Sequence, residues 1–379
     1  MTSPKEAPIY LDHHATTPCD PRVVEKMLPF FTEHFGNAAS VTHAHGRKAS
    51  MALADARLAI ARFLGVLPAE VYFTAGATES NNIALNYVEP GQHLGAHLIV
   101  GATEHKSILV PAKRHETTFL EPDREGFIRP EALERALRSN TALVSIESAN
   151  GEIGTIQPIA ELSALCSERG IPFHTDATQA LGKIPLELKD VDFASFSAHK
   201  LYGPKGIGAL YVRRGMRVPP LVVGGGQERG VRAGTVNLPG VIGFAAALEL
   251  RQSEMADEAV RLAQLRDMLR DGVLSQIDDV SVNGPRELRL PGNLNLSFDR
   301  IEAESLILNM RRFSLSSGSA CSSGDKGPST VLKAIGVSDA AAMGSIRFGL
   351  GKSNTTEHIE MLIDDLKRAV RRLREISVA

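Results

Sequence analysis

Short runs rich in β-branched residues alternate with segments of helical period through the first two thirds of this chain. No other feature restricts its fold as much. The strand-like runs are His97–Val100, Ala142–Ile146, Ile171–His174, Val191–Phe196 and Ile207–Val212. Helical periodicity marks Val23–His34, Arg47–Leu64, Glu79–Tyr87 and Ile159–Arg169. Such alternation builds βαβ units, and βαβ units build a mostly parallel sheet covered by helices. A long helical segment, about Pro239 to Leu274, then leads into a second unit with shorter elements. That unit reads as strand Asn293–Phe298, helix Ala303–Arg311, a Ser/Gly loop, strand Ser345–Phe348 and helix Thr356–Ile376, with Asn354 and Glu357 as a capping pair.

Composition narrows the function classes. With 379 residues, 43 % of them apolar and 23 % charged, the chain can bury a substantial core. A formal net charge of -2 gives no electrostatic reason to expect nucleic acid or an anionic membrane as partner. The start, Met-Thr-Ser-Pro-Lys-Glu-Ala-Pro, lacks the apolar core of a secretory signal, and the longest apolar stretch, near Val241–Leu250, is too short to span a bilayer. Three widely spaced cysteines (Cys19, Cys166, Cys321) suggest neither a disulfide framework nor a zinc site, and His43 with His45 lacks a third ligand. The expectation is a cytoplasmic enzyme.

Several polar groups fall where a parallel sheet opens its ligand crevice, at the carboxyl ends of strands. Asp176 follows Ile171-Pro-Phe-His-Thr. A carboxylate there can keep a pyridine nitrogen protonated, or it can cap a helix. Lys200 ends Ser-Phe-Ser-Ala-His-Lys before a glycine-rich turn. A lysine amine, ordinarily near pKa ~10.4, can hold a carbonyl cofactor covalently and later serve as a base. Ser197 and His199 beside it are candidate phosphate ligands. So are the helix start after Gly76 and the Thr78 hydroxyl, unless they form a plain N-cap. His105 could stack on an aromatic ring and move protons, and Asn150 repeats its placement with an amide. Arg347 can fork onto a carboxylate or make a structural ion pair. The glycine-rich stretches at 224–230 and 232–237 lack the context of a dinucleotide fingerprint. Cys321 lies among small polar residues, where a thiolate can react, whereas Cys19 and Cys166 read as buried small hydrophobes. A cofactor-binding lysine paired with a reactive thiol points to sulfur chemistry.

The order of these elements carries more than any one of them. Seven segments stand in sequence: Thr-Ala-Gly-Ala-Thr-Glu-Ser-Asn-Asn at 74–82, Glu-His-Lys-Ser at 104–107, Asn-Gly-Glu-Ile-Gly at 150–154, Asp-Ala-Thr-Gln at 176–179, Ser-Ala-His-Lys at 197–200, Arg-Ala-Gly-Thr at 232–235 and Ser-Ser-Gly-Ser-Ala-Cys at 316–321. With them the chain resembles, over nearly its whole length, the NifS/IscS-like (group I) cysteine desulfurases of the class V aminotransferase family.

The resemblance implies a fold type I α/β transferase dependent on pyridoxal 5'-phosphate. Its large domain (15–256) would hold a mostly parallel seven-stranded sheet, and a smaller α+β domain (1–14 and 257–379) would carry the cysteine loop at about 316–329. Position by position, it implies Lys200 on the cofactor, Asp176 on its pyridine nitrogen, Gln179 on its ring oxygen and His105 stacked on the ring and active in proton transfer. Ala77, Thr78, Ser197 and His199 would bind the phosphate, with Thr235 reaching in from a partner subunit of a homodimer. Asn150 and Arg347 would hold the carboxylate of L-cysteine, and Cys321 would take the sulfur as a persulfide while L-alanine leaves.

No resident metal is implied, beyond a transient iron–sulfur ligand role for Cys321. The sulfur would pass to an acceptor protein such as an iron–sulfur scaffold or a thiolation enzyme. Alternatives on the same fold are a selenocysteine lyase and an aminotransferase. His13-His14 departs from the common Asn-Ala, Gly-Asn-Ala-Ala-Ser at 36–40 from the common Gly-Asn-Pro-Ser-Ser, and Gly349 replaces a frequent Ser. The chain also ends soon after its last helical segment, which leaves the identity of the acceptor open.

Overall fold

The computed structural model describes residues 7–88, 95–317 and 327–378. Its twelve strands are β1 (Ile9–Tyr10), β2 (Val71–Thr74), β3 (His97–Gly101), β4 (Glu116–Leu120), β5 (Thr141–Ser145), β6 (Phe173–Asp176), β7 (Phe193–Ser197), β8 (Gly208–Val212), β9 (Val280–Val282), β10 (Asn293–Phe298), β11 (Phe313–Ser314) and β12 (Ser345–Gly349). Seven of them form one sheet in the order β2-β8-β7-β6-β5-β3-β4. Pairing is parallel from β7 through β4, and only β8 runs against its neighbours β2 and β7. The expected mostly parallel α/β sheet is therefore present. Every residue of β3, β6, β7 and β8 is buried, as a sheet covered on both faces requires.

Of the apolar clusters among the described residues, two are the largest. The larger gathers residues such as Ile60, Phe73, Ile99, Phe173, Phe196 and Phe244 around the seven-stranded sheet. The smaller gathers Leu11, Leu269, Phe298, Ile346, Phe348 and Leu362 around the antiparallel sheet β12-β10-β9. The helix Leu238–Gln276 joins them. Its first half buries Val241, Phe244 and Leu248 in the larger core, and its second half buries Leu262, Leu265, Leu269 and Val273 in the smaller.

Local departures have local causes. The helix expected over Val23–His34 is two pieces, Pro21–Met27 and Pro29–Thr32, because Pro29 lacks the N–H that would continue the first. The last helix begins at Thr356, and the Thr355 hydroxyl accepts from the His358 N–H. Asn354 instead accepts from the Gly351 N–H and donates to the Tyr10 carbonyl, tying β1 to the loop after β12. Gly208 sits where β8 crosses the start of the helix Ala77–Leu85: an added Cβ would lie 2.3 Å from the Phe196 carbonyl oxygen and 2.6 Å from the Gly76 Cα. A side chain at 208 would push that helix start away from Ser197.

Candidate active site

Parallel pairing places the carboxyl ends of β3, β5, β6 and β7 along one edge of the sheet, and the polar groups singled out above follow those ends. Asp176 closes β6 and is 8 % exposed. Its carboxylate accepts from Asn81 Nδ2 at 2.7 Å and from the Thr178 N–H at 3.0 Å. Next to it, β7 ends at Ser197 and a single tight turn, Ala198–Lys200, brings round the lysine. Lys200 Nζ donates to the backbone carbonyls of His14 at 2.6 Å and Ala15 at 2.8 Å.

Those carbonyls form a junction. Gln179 Nε2 also donates to the His14 carbonyl at 3.0 Å, and Gln179 Oε1 accepts from Lys183 Nζ at 2.7 Å. Gly151 lies so close that a Cβ there would come within 2.7 Å of Gln179 Nε2. His199 Nδ1 pairs with Thr16 Oγ1 at 3.0 Å, and its carbonyl accepts from Thr17. Burial pushes the His199 imidazole down to about 4, with Lys200, Lys205 and Lys183 adding to the effect, so the ring is neutral near pH 7. Lys183 is itself pulled down to about 7 by burial, with Lys200 and Arg347 repelling its charge.

On the other side of the crevice His105 caps the helix Lys106–Ala112, and its imidazole is exposed. The protein around its ring lowers its pKa, Lys200 and Lys106 act the same way, and Asp176 opposes them. The helix Ala77–Leu85 points its start at the site after Gly76, with Ala77 half-buried, Thr78 exposed and the Ser197 hydroxyl 3.6 Å from where a Gly76 Cβ would stand. The Arg232-Ala-Gly-Thr segment is held beside this helix by an ion pair between Arg232 and Glu79 (3.1 Å), and Thr235 itself is exposed.

Arg347 comes from β12 and the smaller core. It pairs with Asp12 at 2.7 Å and donates to the Gly151 carbonyl at 3.3 Å. Asn150 is buried, and its amide holds its own turn: Nδ2 donates to Glu147 and Thr103, while Oδ1 accepts from the N–H groups of Glu152 and Ile153. Cys321 lies outside the described residues. Of the other thiols, Cys166 is fully buried and pushed up to about 12, and burial also raises Cys19.

Residue-by-residue reading of the sequence did not assign Asn81, Ser107, His14, Lys183, Glu104 or Glu147 a role. Asn81 and Ser107 stood inside the matched segments, and His14 stood out as an unusual residue; Lys183 carried no local signal. Glu104 and Glu147 are buried together, and the Glu147 N–H donates to Glu104. Burial holds Glu104 well above the usual carboxyl range and raises Glu147 to about 8, although hydrogen bonds from Asn150 and Thr103 pull Glu147 the other way.

The folded chain thus keeps a proton on Glu147 that the unfolded chain releases near pH ~4.3. Its contribution to stability is complete at acid pH and declines as pH rises toward the folded-state value of about 8. Glu147→Gln should flatten this part of the profile. Its melting temperature should fall less than that of the wild type between about pH 5 and 8; parallel profiles would assign the proton elsewhere.

The donor set fits the pyridoxal phosphate that the resemblance implies. A carboxylate for a pyridinium, an amine for a carbonyl and a helix start with a buried hydroxyl for a phosphate converge on one strand edge. The buried Thr178 Oγ1, beside Asp176, has no hydrogen-bond partner among the described residues, an opening that a bound group would satisfy.

Comparison with known proteins points the same way. The aminotransferase class-V family model matches residues 9–362. The cysteine desulfurase IscS of Anaeromyxobacter dehalogenans is 48 % identical over 383 residues, covering 98 % of this chain and 94 % of the relative. Among solved structures, a NifS-like protein superposes with a TM-score of 0.90 at 36 % identity, covering 97 % of this chain and 100 % of the other. SspA, solved in complex with cysteine, superposes with a TM-score of 0.81 at 36 % identity over 90 % of this chain and 98 % of its own.

Proposed function

The chain belongs to the aminotransferase class-V family, as a NifS/IscS-like cysteine desulfurase dependent on pyridoxal phosphate, and from that premise we propose how its residues divide the work. The observation that carries the reading is the meeting of Lys200 and Asp176 at neighbouring parallel strand ends, with Arg347 brought to the same edge from the smaller core.

When bound, the cofactor supplies an electron sink for charge developing at the substrate α-carbon. Asp176 would hold the proton on the ring nitrogen, steadied by Asn81 and the Thr178 N–H. Gln179, locked by Lys183 and the His14 carbonyl, would face the ring oxygen, and His105 would cover the ring. The N–H groups after Gly76, with Thr78, Ser197 and neutral His199, would receive the phosphate. Thr235, exposed here beside Glu79's partner Arg232, would complete that site across a homodimer, which light scattering would read as twice the chain mass.

Lys200 would act as the base for the α-proton of L-cysteine. Arg347 would exchange its Asp12 partner for the substrate carboxylate, with Asn150 as the second group to hold it. At Cys321 the thiolate attacks the substrate sulfur: an S–S bond forms, the C–S bond breaks, and its electron pair stays with the three-carbon skeleton. That skeleton takes up a proton and leaves as L-alanine. The domain limits 15–256 and 1–14 with 257–379 accord with the two cores, the long helix Leu238–Gln276 crossing between them.

Among the described residues no helix is long and apolar enough to cross a membrane. The persulfide sulfur would go on to iron–sulfur cluster assembly or thio-modification. The test is incubation of the holoenzyme with L-cysteine without reductant, reading L-alanine and peptide masses together. One sulfur gained on the Cys321 peptide with equivalent L-alanine is expected. Pyruvate from L-alanine, with no sulfur gained, would make the enzyme an aminotransferase.

A further inference from the structure

His105, Ser107, Asn81 and Asp176 form one continuous hydrogen-bonded line across the crevice wall. The backbone N–H of Ser107 donates to His105 Nδ1 at 3.1 Å, and Ser107 Oγ lies 2.7 Å from the same nitrogen. Asn81 Nδ2 then donates to Ser107 Oγ at 2.8 Å and to Asp176 Oδ2 at 2.7 Å. Asn81 is wholly buried and Ser107 is 7 % exposed, so water does not compete for the two bonds that Asn81 donates.

The proton positions follow from the groups themselves. A backbone N–H can only donate, so His105 Nδ1 must carry a lone pair, and the neutral ring must carry its proton on Nε2. Ser107 Oγ cannot accept from an unprotonated Nδ1, so its hydroxyl donates there as well. Its lone pairs are left for Asn81 Nδ2. Turning the Asn81 amide over would set its oxygen against the Asp176 carboxylate, so the amide has a single sensible orientation.

We propose that Ser107 and Asn81 are positioning residues that hold His105 in its Nε2–H tautomer and couple its ring to the Asp176 carboxylate. While the line is intact, Nδ1 is occupied and Nε2 is a donor, so neutral His105 has no free lone pair with which to take a proton. It serves the reaction as a hydrogen-bond donor from Nε2, and base work falls to Lys200. This inference rests on the reaction proposed above for its meaning, though not for its geometry. The charged groups that bear on the ring are Asp176, which favours its protonation, and Lys200 and Lys106, which oppose it.

The experiment is nitrogen NMR of full-length holoenzyme labelled at histidine, with the His105 signals assigned by their loss in His105→Asn. Wild type should show Nε2 protonated and Nδ1 bare. Ser107→Ala removes the hydroxyl donor to Nδ1 but keeps the backbone N–H, so the ring should stay protonated on Nε2 while its titration midpoint rises by about one pH unit. Ser107→Thr keeps the hydroxyl and should restore the wild-type pattern. Asn81→Ala should also move the midpoint, although Asn81 bonds Ser107 and not the imidazole.

A wild-type ring protonated on Nδ1 would overturn the proposal outright. So would a wild-type titration midpoint in both alanine variants. Turnover of L-cysteine is read separately: if it were absent while the midpoint shifts appeared, the positioning role would stand and the proposed reaction would fall.

Discussion

Lys200→Ala should lower L-cysteine turnover by about a thousandfold or more, the range expected when one residue both holds the cofactor and moves a proton. The structure explains why no neighbour would replace it. Lys200 leaves the end of β7 through a single turn, and its amine sits on the carbonyls of His14 and Ala15 at 2.6 and 2.8 Å. Lys183 is another amine at the site with a lowered pKa, but it is tied to Gln179 Oε1 at 2.7 Å. The variant should also lose the visible band of covalently held cofactor while keeping its fold, because Lys200 contributes no apolar side chain to either core. Lys200→Arg keeps the positive charge but offers neither a condensing amine nor a base at neutral pH, so it should behave the same way. Turnover within tenfold of wild type in either variant would take Lys200 out of the reaction.

Cys321→Ser should do the opposite to the spectrum and the same to the product. The cofactor band should remain, and the persulfide should disappear. A serine hydroxyl is scarcely ionised at neutral pH and forms no persulfide, whereas a thiol near pKa ~8.5 is already partly thiolate. The other thiols would not stand in, since burial holds Cys166 at about 12 and raises Cys19 as well. Geometry at the edge of the described chain favours the role. Arg347 N–H donates to the Ser316 carbonyl at 2.9 Å, so the chain departs toward Cys321 from beside the arginine proposed to bind substrate. The five residues from 316 to 321 (321 minus 316) span at most about 18 Å when extended, which bounds how far the Cys321 backbone can stand from Ser316. Sulfur gained on the Cys19 or Cys166 peptide of the variant, with undiminished L-alanine, would refute Cys321 as the acceptor.

Much of this protein was legible before any coordinates. Alternating β-branched and helical segments are a local property, set by side-chain shape and period, so the parallel sheet and the long helix could be read from the chain. Asp176 and Lys200 could be placed because a residue that follows a buried parallel strand must emerge at the sheet's carboxyl edge. Helix ends are less legible: helical period runs on through Pro29 although the helix breaks there, and Asn354 bonds Gly351 and Tyr10 instead of capping the last helix.

Relations between distant segments were beyond reach of the chain alone. The His14 carbonyl meets Lys200 across 186 positions, Arg347 meets Asp12 across 335, and Asn81 meets Asp176 across 95. Nothing in the local pattern of either partner encodes such a pairing. It arises when strands take their order in the sheet and the smaller core docks its β12 arginine at that edge. The chemistry each side chain can do was therefore set by its type and its place after a strand. Which nitrogen of His105 holds the proton, which carboxyls stay protonated and which carbonyls receive the lysine were decided by tertiary packing, because hydrogen-bond direction and desolvation depend on neighbours that only the fold supplies.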